Sequence, residues 1–406
     1  MTVAGRFSAL QFRDFRLFWF GQIVSLSGTW MQSVAQGWLV YSLTKSPLYL
    51  GLVAASGSLP ILLFTLAGGV AADRFRKRNL LLTTQALSIL PAFLLGILTD
   101  INMITVWQVA LLAAVLGTVN AFDIPARQSF LIELVGRDSL TSAIALNSAA
   151  FHGARMIGPL IAGTTIASLG LPACFYLNAL SFVAVIIALS RMEIRGAIQD
   201  TSNGFIRDFN EGIRFIKSRP EIYRAILLIG VFSLVAMPFI TLLPIFAGEV
   251  LKAGATGFGF LVGATGAGAL AAALSLAFRR DIADKSRFIS AAALISSFAL
   301  LVFSMSRSLP LSVAALILVG WGLVSFLATV NSFIQLSVPD NLRGRVMSVF
   351  TLVFLGTAPL GNSIVGFAAD YTGTPKIVTI SALICMAASV IFSMKISGGK
   401  WYSRLS

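Results

Sequence analysis

Apolar residues run along this chain in blocks of about 20 or more, each ended by a short polar or Gly/Pro-bearing break. A helix of that length crosses the hydrocarbon of a bilayer, and inside that layer only a helix or a closed barrel satisfies its own backbone. The pattern predicts helices over 17–43, 48–72, 79–99, 104–123, 140–167 and 172–191, then over 224–248, 257–278, 287–305, 310–335, 346–369 and 376–396. The expected fold is all-α and integral to the membrane: twelve transmembrane helices in two pseudo-symmetric six-helix bundles, residues 1–192 and 224–406.

Between the bundles, residues 193–223 form the longest polar stretch. Phe205, Ile206, Phe209, Ile213 and Ile216 recur on one helical face with Arg207, Asp208, Glu211, Arg214 and Lys217 mostly opposite, which predicts an amphipathic linker helix at the membrane surface. A short echo supports the division. Arg137, Asp138, Ser139 and Leu140 precede the fifth helix as Pro339, Asp340, Asn341 and Leu342 precede the eleventh.

Composition agrees with this pattern: 57% of the 406 residues are hydrophobic and 11% charged, against roughly a quarter charged in a soluble domain. The net charge of +14 would suit nucleic acid, but its distribution points elsewhere. Of 30 Lys and Arg, 25 fall on the side of the N-terminus, four on the other side and one, Arg155, within a span. Positive charge accumulates on the cytoplasmic side, so both termini are expected in the cytoplasm of a bacterium and the chain in its inner membrane. No nucleic-acid partner is expected, and anionic lipid accounts for the remaining attraction. The first run lacks a small-residue cleavage site and is expected to be retained.

Cys174 and Cys385 lie inside apolar runs without metal-ligand spacing and read as small buried hydrophobes. A single histidine, no H-E-x-x-H and no phosphate loop leave no basis for an enzyme, a metal, a cofactor or ATP binding. The expected partners are a small-molecule substrate, the bilayer and protons, with a monomer as the working unit.

Candidate chemistry is confined to a few polar positions. Gln22, Ser25, Thr29, Gln32 and Gln36 recur every three or four residues on the first helix and predict the lining of a central cavity, or else bonds between helices. Asn147, Asn178, Asn331 and Gln335 are weaker additions; Trp30, Trp38 and Trp321 read as cavity walls or interfacial anchors. Arg155 is a cation in mid-span, where a charge costs ~2.5 to 3.5 kcal/mol on insertion scales. It reads as a contact for anionic or carbonyl-rich cargo, a charge that switches partners, or a static bond to neighbouring carbonyls. Asp123 and His152 are the candidates for proton coupling. The predicted loop after the fourth helix carries Asp123, Arg127 and Glu133, and that after the tenth carries Asp340, Arg343 and Arg345. Opposite charges there predict paired cytoplasmic gate elements that bridge the bundles, or solvated loop charges.

The second cytoplasmic loop, GVAADRFRKRNLL from Gly69, resembles the G-x-x-x-D-R-x-G-R-K signature of the major facilitator superfamily. Gly69, Asp73, Arg74, Lys77 and Arg78 match, and Arg76 stands at the second glycine. Gly69 is expected to allow close helix approach, and the basic cluster to pair with acids or carbonyls nearby. SLTKSPLYLGLV from Ser42, FDIPARQSFLIELV from Phe122, ARMIGPLIAG from Ala154 and VPDNLRGRVMSVF from Val338 resemble the branch containing enterobactin exporters and macrolide efflux proteins. Gly158, Pro159 and Gly163 are similar to the fifth-helix glycine-proline motif of antiporters in that superfamily. The resemblance implies alternating access and export of a siderophore, antibiotic or similar compound, in exchange for protons. Uptake by symport and lipid flipping are the alternatives with the same fold.

Overall fold

A computed structural model describes residues 8–193, 205–278 and 284–397. After a short 3-10 turn at Ser8–Gln11 come α1 (Arg13–Thr44), α2 (Pro47–Arg74), α3 (Lys77–Asp100), α4 (Val106–Val135), α5 (Leu140–Leu169) and α6 (Leu171–Ser190). A linker helix, Phe205–Ser218, leads to α7 (Pro220–Val250), α8 (Gly254–Phe278), α9 (Lys285–Met305), α10 (Leu309–Ser337), α11 (Asp340–Gly356 and Ala358–Thr372, interrupted at Thr357) and α12 (Thr374–Ser397). Proline opens α2 and α7, where the helix has no use for its missing N–H. Thr105 and Gln108 form a reciprocal capping box at the start of α4. Gly136, Gly170 and Gly373 end α4, α5 and α11 with φ of +69°, +84° and +89°, a region that only glycine enters freely.

Ten of these helices are long and apolar enough to cross a membrane. α1 and α5 are as long, at 32 and 30 residues, but less apolar: α1 carries the Gln/Ser/Thr stripe, and α5 carries Asn147, His152 and Arg155. Two predicted boundaries need correction. α4 continues about three turns past Asp123, so Asp123, Arg127 and Glu133 lie on a helix and not in a loop. α11 begins at Asp340, which puts Arg343 and Arg345 in its first two turns. Hydropathy ended both helices where charge began, but those charges have protein partners.

In the first six helices α1 packs on α5 and α6, α2 on α4, and α3 on α6; in the last six α8 packs on α10, and α9 on α10 and α12. Two seams join the groups, α2 with the Ala358–Thr372 part of α11, and α5 with α8. The linker helix does not lie free. It packs along Asp340–Gly356, where Gly212 meets the Arg345 carbonyl and Ile216 is buried. α7 is α-helical only in part: the N–H groups of Met237 and Leu251 donate to the carbonyls of Phe232 and Phe246, five residues back, at 2.9 and 2.8 Å. These are two π-turns, each adding one residue to a turn.

Candidate functional site

The helices have a basic end, with the start of α1, the α2–α3 and α4–α5 turns and the linker helix, and a far end at Lys45, Asn102, Gly170, Lys252 and Gly373. The seams are tightest toward the far end. Ser46 Oγ donates to Asp370 Oδ1 at 2.7 Å across the α2–α11 seam. A Cβ on Gly51 would stand 2.3 Å from the Asn362 carbonyl oxygen, and one on Gly163 would stand 3.0 Å from the Thr256 Cα. Trp38 stacks on Phe258, and the Tyr41 hydroxyl lies against Gly248. Pro159 and Gly163 lie in the α5–α8 seam, with the Pro159 carbonyl facing Gly259, whereas Gly158 packs on α1 against Ser27 and Trp30. The α5–α8 seam continues to mid-helix, where a Cβ on Gly266 would stand 2.5 Å from the Arg155 carbonyl oxygen.

Beneath the far-end seal lies a cavity of about 310 Å3, within the range of small-molecule sites. Thr29, Gln32 and Gln36 of the predicted stripe line it; Gln22 and Ser25 do not. Asn120, Thr241 and Phe258 complete the polar and aromatic wall, and they escaped the sequence reading because each is a single residue in a different apolar run. Gln32 is buried: its Oε1 accepts from Asn178 Nδ2 at 2.7 Å, and its Nε2 has no partner. Trp30 also lines the cavity, with the Arg155 guanidinium 5.3 Å over its ring. That is cation–π distance. Arg155 has no ion pair among the described residues, and its Nε is buried without a hydrogen-bond partner. His152 Nδ1 is likewise buried and unpartnered. No Asp or Glu lines the cavity.

Toward the basic end the first six helices hold a second cluster. Asp123 is 2% exposed. Its Oδ1 accepts from Thr84 Oγ1 and Gln85 Nε2, both at 2.8 Å, and its Oδ2 from Arg127 Nε at 2.9 Å; Arg127 also reaches Gln22 Oε1. Every group on this carboxylate is a donor, and Gln22 belongs to this cluster, not to the cavity. Lys77 Nζ donates to Glu133 Oε1 at 2.7 Å with both side chains largely buried, while Glu133 Oε2 has no partner. Arg78 donates to the carbonyls of Leu189 and Ser190, occupying the open C-terminus of α6. Asp73 is half-buried and Arg74 exposed.

One motif assignment shifts by a residue. A Cβ on Gly69 would meet nothing within 4 Å, whereas one on Gly68 would stand 2.0 Å from the Ala121 carbonyl oxygen. The close approach of α2 to α4 therefore belongs to Gly68. Of the predicted gate residues, Arg343 Nε donates to the Gln335 carbonyl at 3.0 Å, and Arg345 pairs with Glu211 of the linker helix. The Asp340 side chain lies outside the described residues.

Residues 4–401 match the family described as transmembrane secretion effector. The chain is 28% identical to the multidrug efflux pump Tap of Mycolicibacterium fortuitum, over 87% of this chain and 88% of that one. It is 25% identical to the staphyloferrin A transporter of Staphylococcus aureus (strain NCTC 8325 / PS 47), over 90% and 92%. A bacterial homologue of the iron transporter ferroportin, solved in an inward-facing state, superposes with a TM-score of 0.71 at 15% identity, covering 94% of this chain and 98% of its own.

Proposed function

This chain belongs to the transmembrane secretion effector family of the major facilitator superfamily, whose members are membrane transporters and not enzymes, and we propose that it exports an anionic or carbonyl-rich small molecule by alternating access. The observation that carries the substrate class is the donor set beside the cavity: Gln32 Nε2 and Arg155 Nε buried without hydrogen-bond partners, Arg155 over Trp30 without an acid among the described residues, and no carboxylate in the wall. A buried unpaired donor is costly until a ligand acceptor meets it. A cavity built for cations would hold a carboxylate instead. Staphyloferrin A, named for one relative, is a suitable probe.

The basic end is assigned to the cytoplasm by its charge excess, and twelve helices are counted by including α1 and α5. Adding six to each helix number turns the α2–α11 seam into the α8–α5 seam, which supports two related six-helix halves, residues 1–192 and 224–406, in a bacterial inner membrane. The Ser46–Asp370 bond and the Gly51–Asn362 approach close the far end, which supports reading the conformation as inward-open, ready to load cargo for export. Proton exchange is assigned to Asp123 and His152, with Asp123 the one fully buried carboxylate among the described residues.

The test uses inverted vesicles with an imposed pH gradient. Radiolabelled staphyloferrin A should accumulate, and Arg155→Gln should cut the initial rate about tenfold, the worth of ~1.4 kcal/mol of lost contact, while a permanently cationic dye gains nothing from Arg155. Equal rates for wild type and Arg155→Gln would remove the anionic-cargo reading. Accumulation that survives collapse of the gradient would remove proton exchange.

A further inference from the structure

Away from the cavity, a groove of about 510 Å3 runs between the linker helix, α7, α11 and α12. Ile216 of the linker helix, Leu227, Val231 and Val235 of α7, Val353 of α11 and Ile384 of α12 line it. The surface it presents is wholly apolar: Lys217, Tyr223 and Thr357 enter the lining through carbon, and the first two sit at the basic end. Tyr223, Leu227 and Ile384 are 46%, 56% and 44% exposed, so the groove opens sideways toward lipid rather than inward toward the cavity.

Its dimensions match one leaflet. From Tyr223 to Val235 along α7 the rise is about 18 Å, and half of a bilayer's hydrocarbon core is about 15 Å. The groove therefore starts at the interface and ends near mid-membrane, where Thr357 interrupts α11. Lys217 brings a cation to its basic end, and Arg214 and Arg219, neighbours in the sequence, are exposed too, with Arg219 over the Phe215 ring, while Glu211 is engaged by Arg345 and Glu221 is half-buried.

We propose that this groove is a binding site for one acyl chain of an anionic phospholipid from the basic-end leaflet, with Lys217 at its headgroup. The inference rests on the membrane-spanning reading and is independent of what the cavity carries. The lipid fills the space that the linker helix and α11 leave open and ties the linker to the second half of the bundle. One lysine beside an anionic headgroup is worth about a fivefold preference over a zwitterionic one. The apolar walls supply the rest of the attraction.

The experiment reconstitutes the full chain in nanodiscs with phosphatidylglycerol or phosphatidylcholine carrying a mid-chain diazirine, and maps the photolabelled peptides. In wild type the 220–235 segment should label about fivefold more with phosphatidylglycerol. Lys217→Gln should bring the two lipids level, and Val231→Phe or Val353→Phe, from opposite walls, should reduce labelling by both. Using two filling variants separates a blocked groove from a misfolded helix, with monodisperse elution as the folding criterion. Equal labelling by the two lipids in wild type, or unchanged labelling in both filled variants, would overturn the site.

Discussion

The charged clusters at the basic ends of the two halves follow opposite physics. In the first half, Asp123 and Lys77 are buried, and the Asp123 carboxylate is surrounded by Thr84, Gln85 and Arg127. In the second, Arg345 meets Glu211 where solvent reaches both, and Arg343 donates to a carbonyl at the end of α10. Breaking a buried pair leaves an uncompensated charge and costs about 3–5 kcal/mol; an exposed pair is worth about 0–1 kcal/mol. One charged end is thus a rigid block and the other a loose clasp. Only the second can be remade cheaply.

The largest effect that would break this contrast is at Asp123. Asp123→Asn keeps the shape, removes the counter-charge of Arg127 and should cost about 3–5 kcal/mol, read as a lowered unfolding midpoint in detergent, with transport lost. Lys77→Ala leaves Glu133 with neither oxygen paired and should cost about 2 kcal/mol by the same measurement. Gly68→Ala pushes a methyl into the Ala121 carbonyl and should cost about 1–3 kcal/mol, while Gly69→Ala, with open space around it, should be neutral. Arg345→Ala should change stability by less than about 1 kcal/mol and weaken further in importance at high salt. If Asp123→Asn and Arg345→Ala proved equal, the two ends would be equivalent and the contrast would fail.

Much of this was legible in the apolar runs, because a membrane helix announces itself by length. The ends of α4 and α11 were not. Asp123, Arg127, Asp340 and Arg343 look like solvent to a hydropathy count, and only tertiary partners reveal that Asp123 is inside. The stripe on α1 was visible by its period, yet it serves two places: Gln32 and Gln36 face the cavity, and Gln22 the ion cluster. Periodicity fixes a face but not what lies along its length. The Gly68–Gly69 pair shows the same limit at one residue: adjacent helical positions point about 100° apart, and the choice between them is made by α4. Trp30 gained its meaning from Arg155, a residue 125 positions away in the sequence.

The π-turn at Phe232–Ala236 sets the rotational phase of everything after it. One added residue turns the following helix by about 100° relative to an uninterrupted helix. Before it, Leu227 and Val231 look toward the lipid groove; after it, Thr241 lines the cavity and donates to Asn362 Oδ1 at 3.1 Å. Deleting a single residue from that turn would leave composition and hydropathy almost untouched, yet it would swing Thr241 out of the cavity wall. In this transporter the chemistry offered to cargo can be rewritten by changing helix length, without replacing any side chain that touches it.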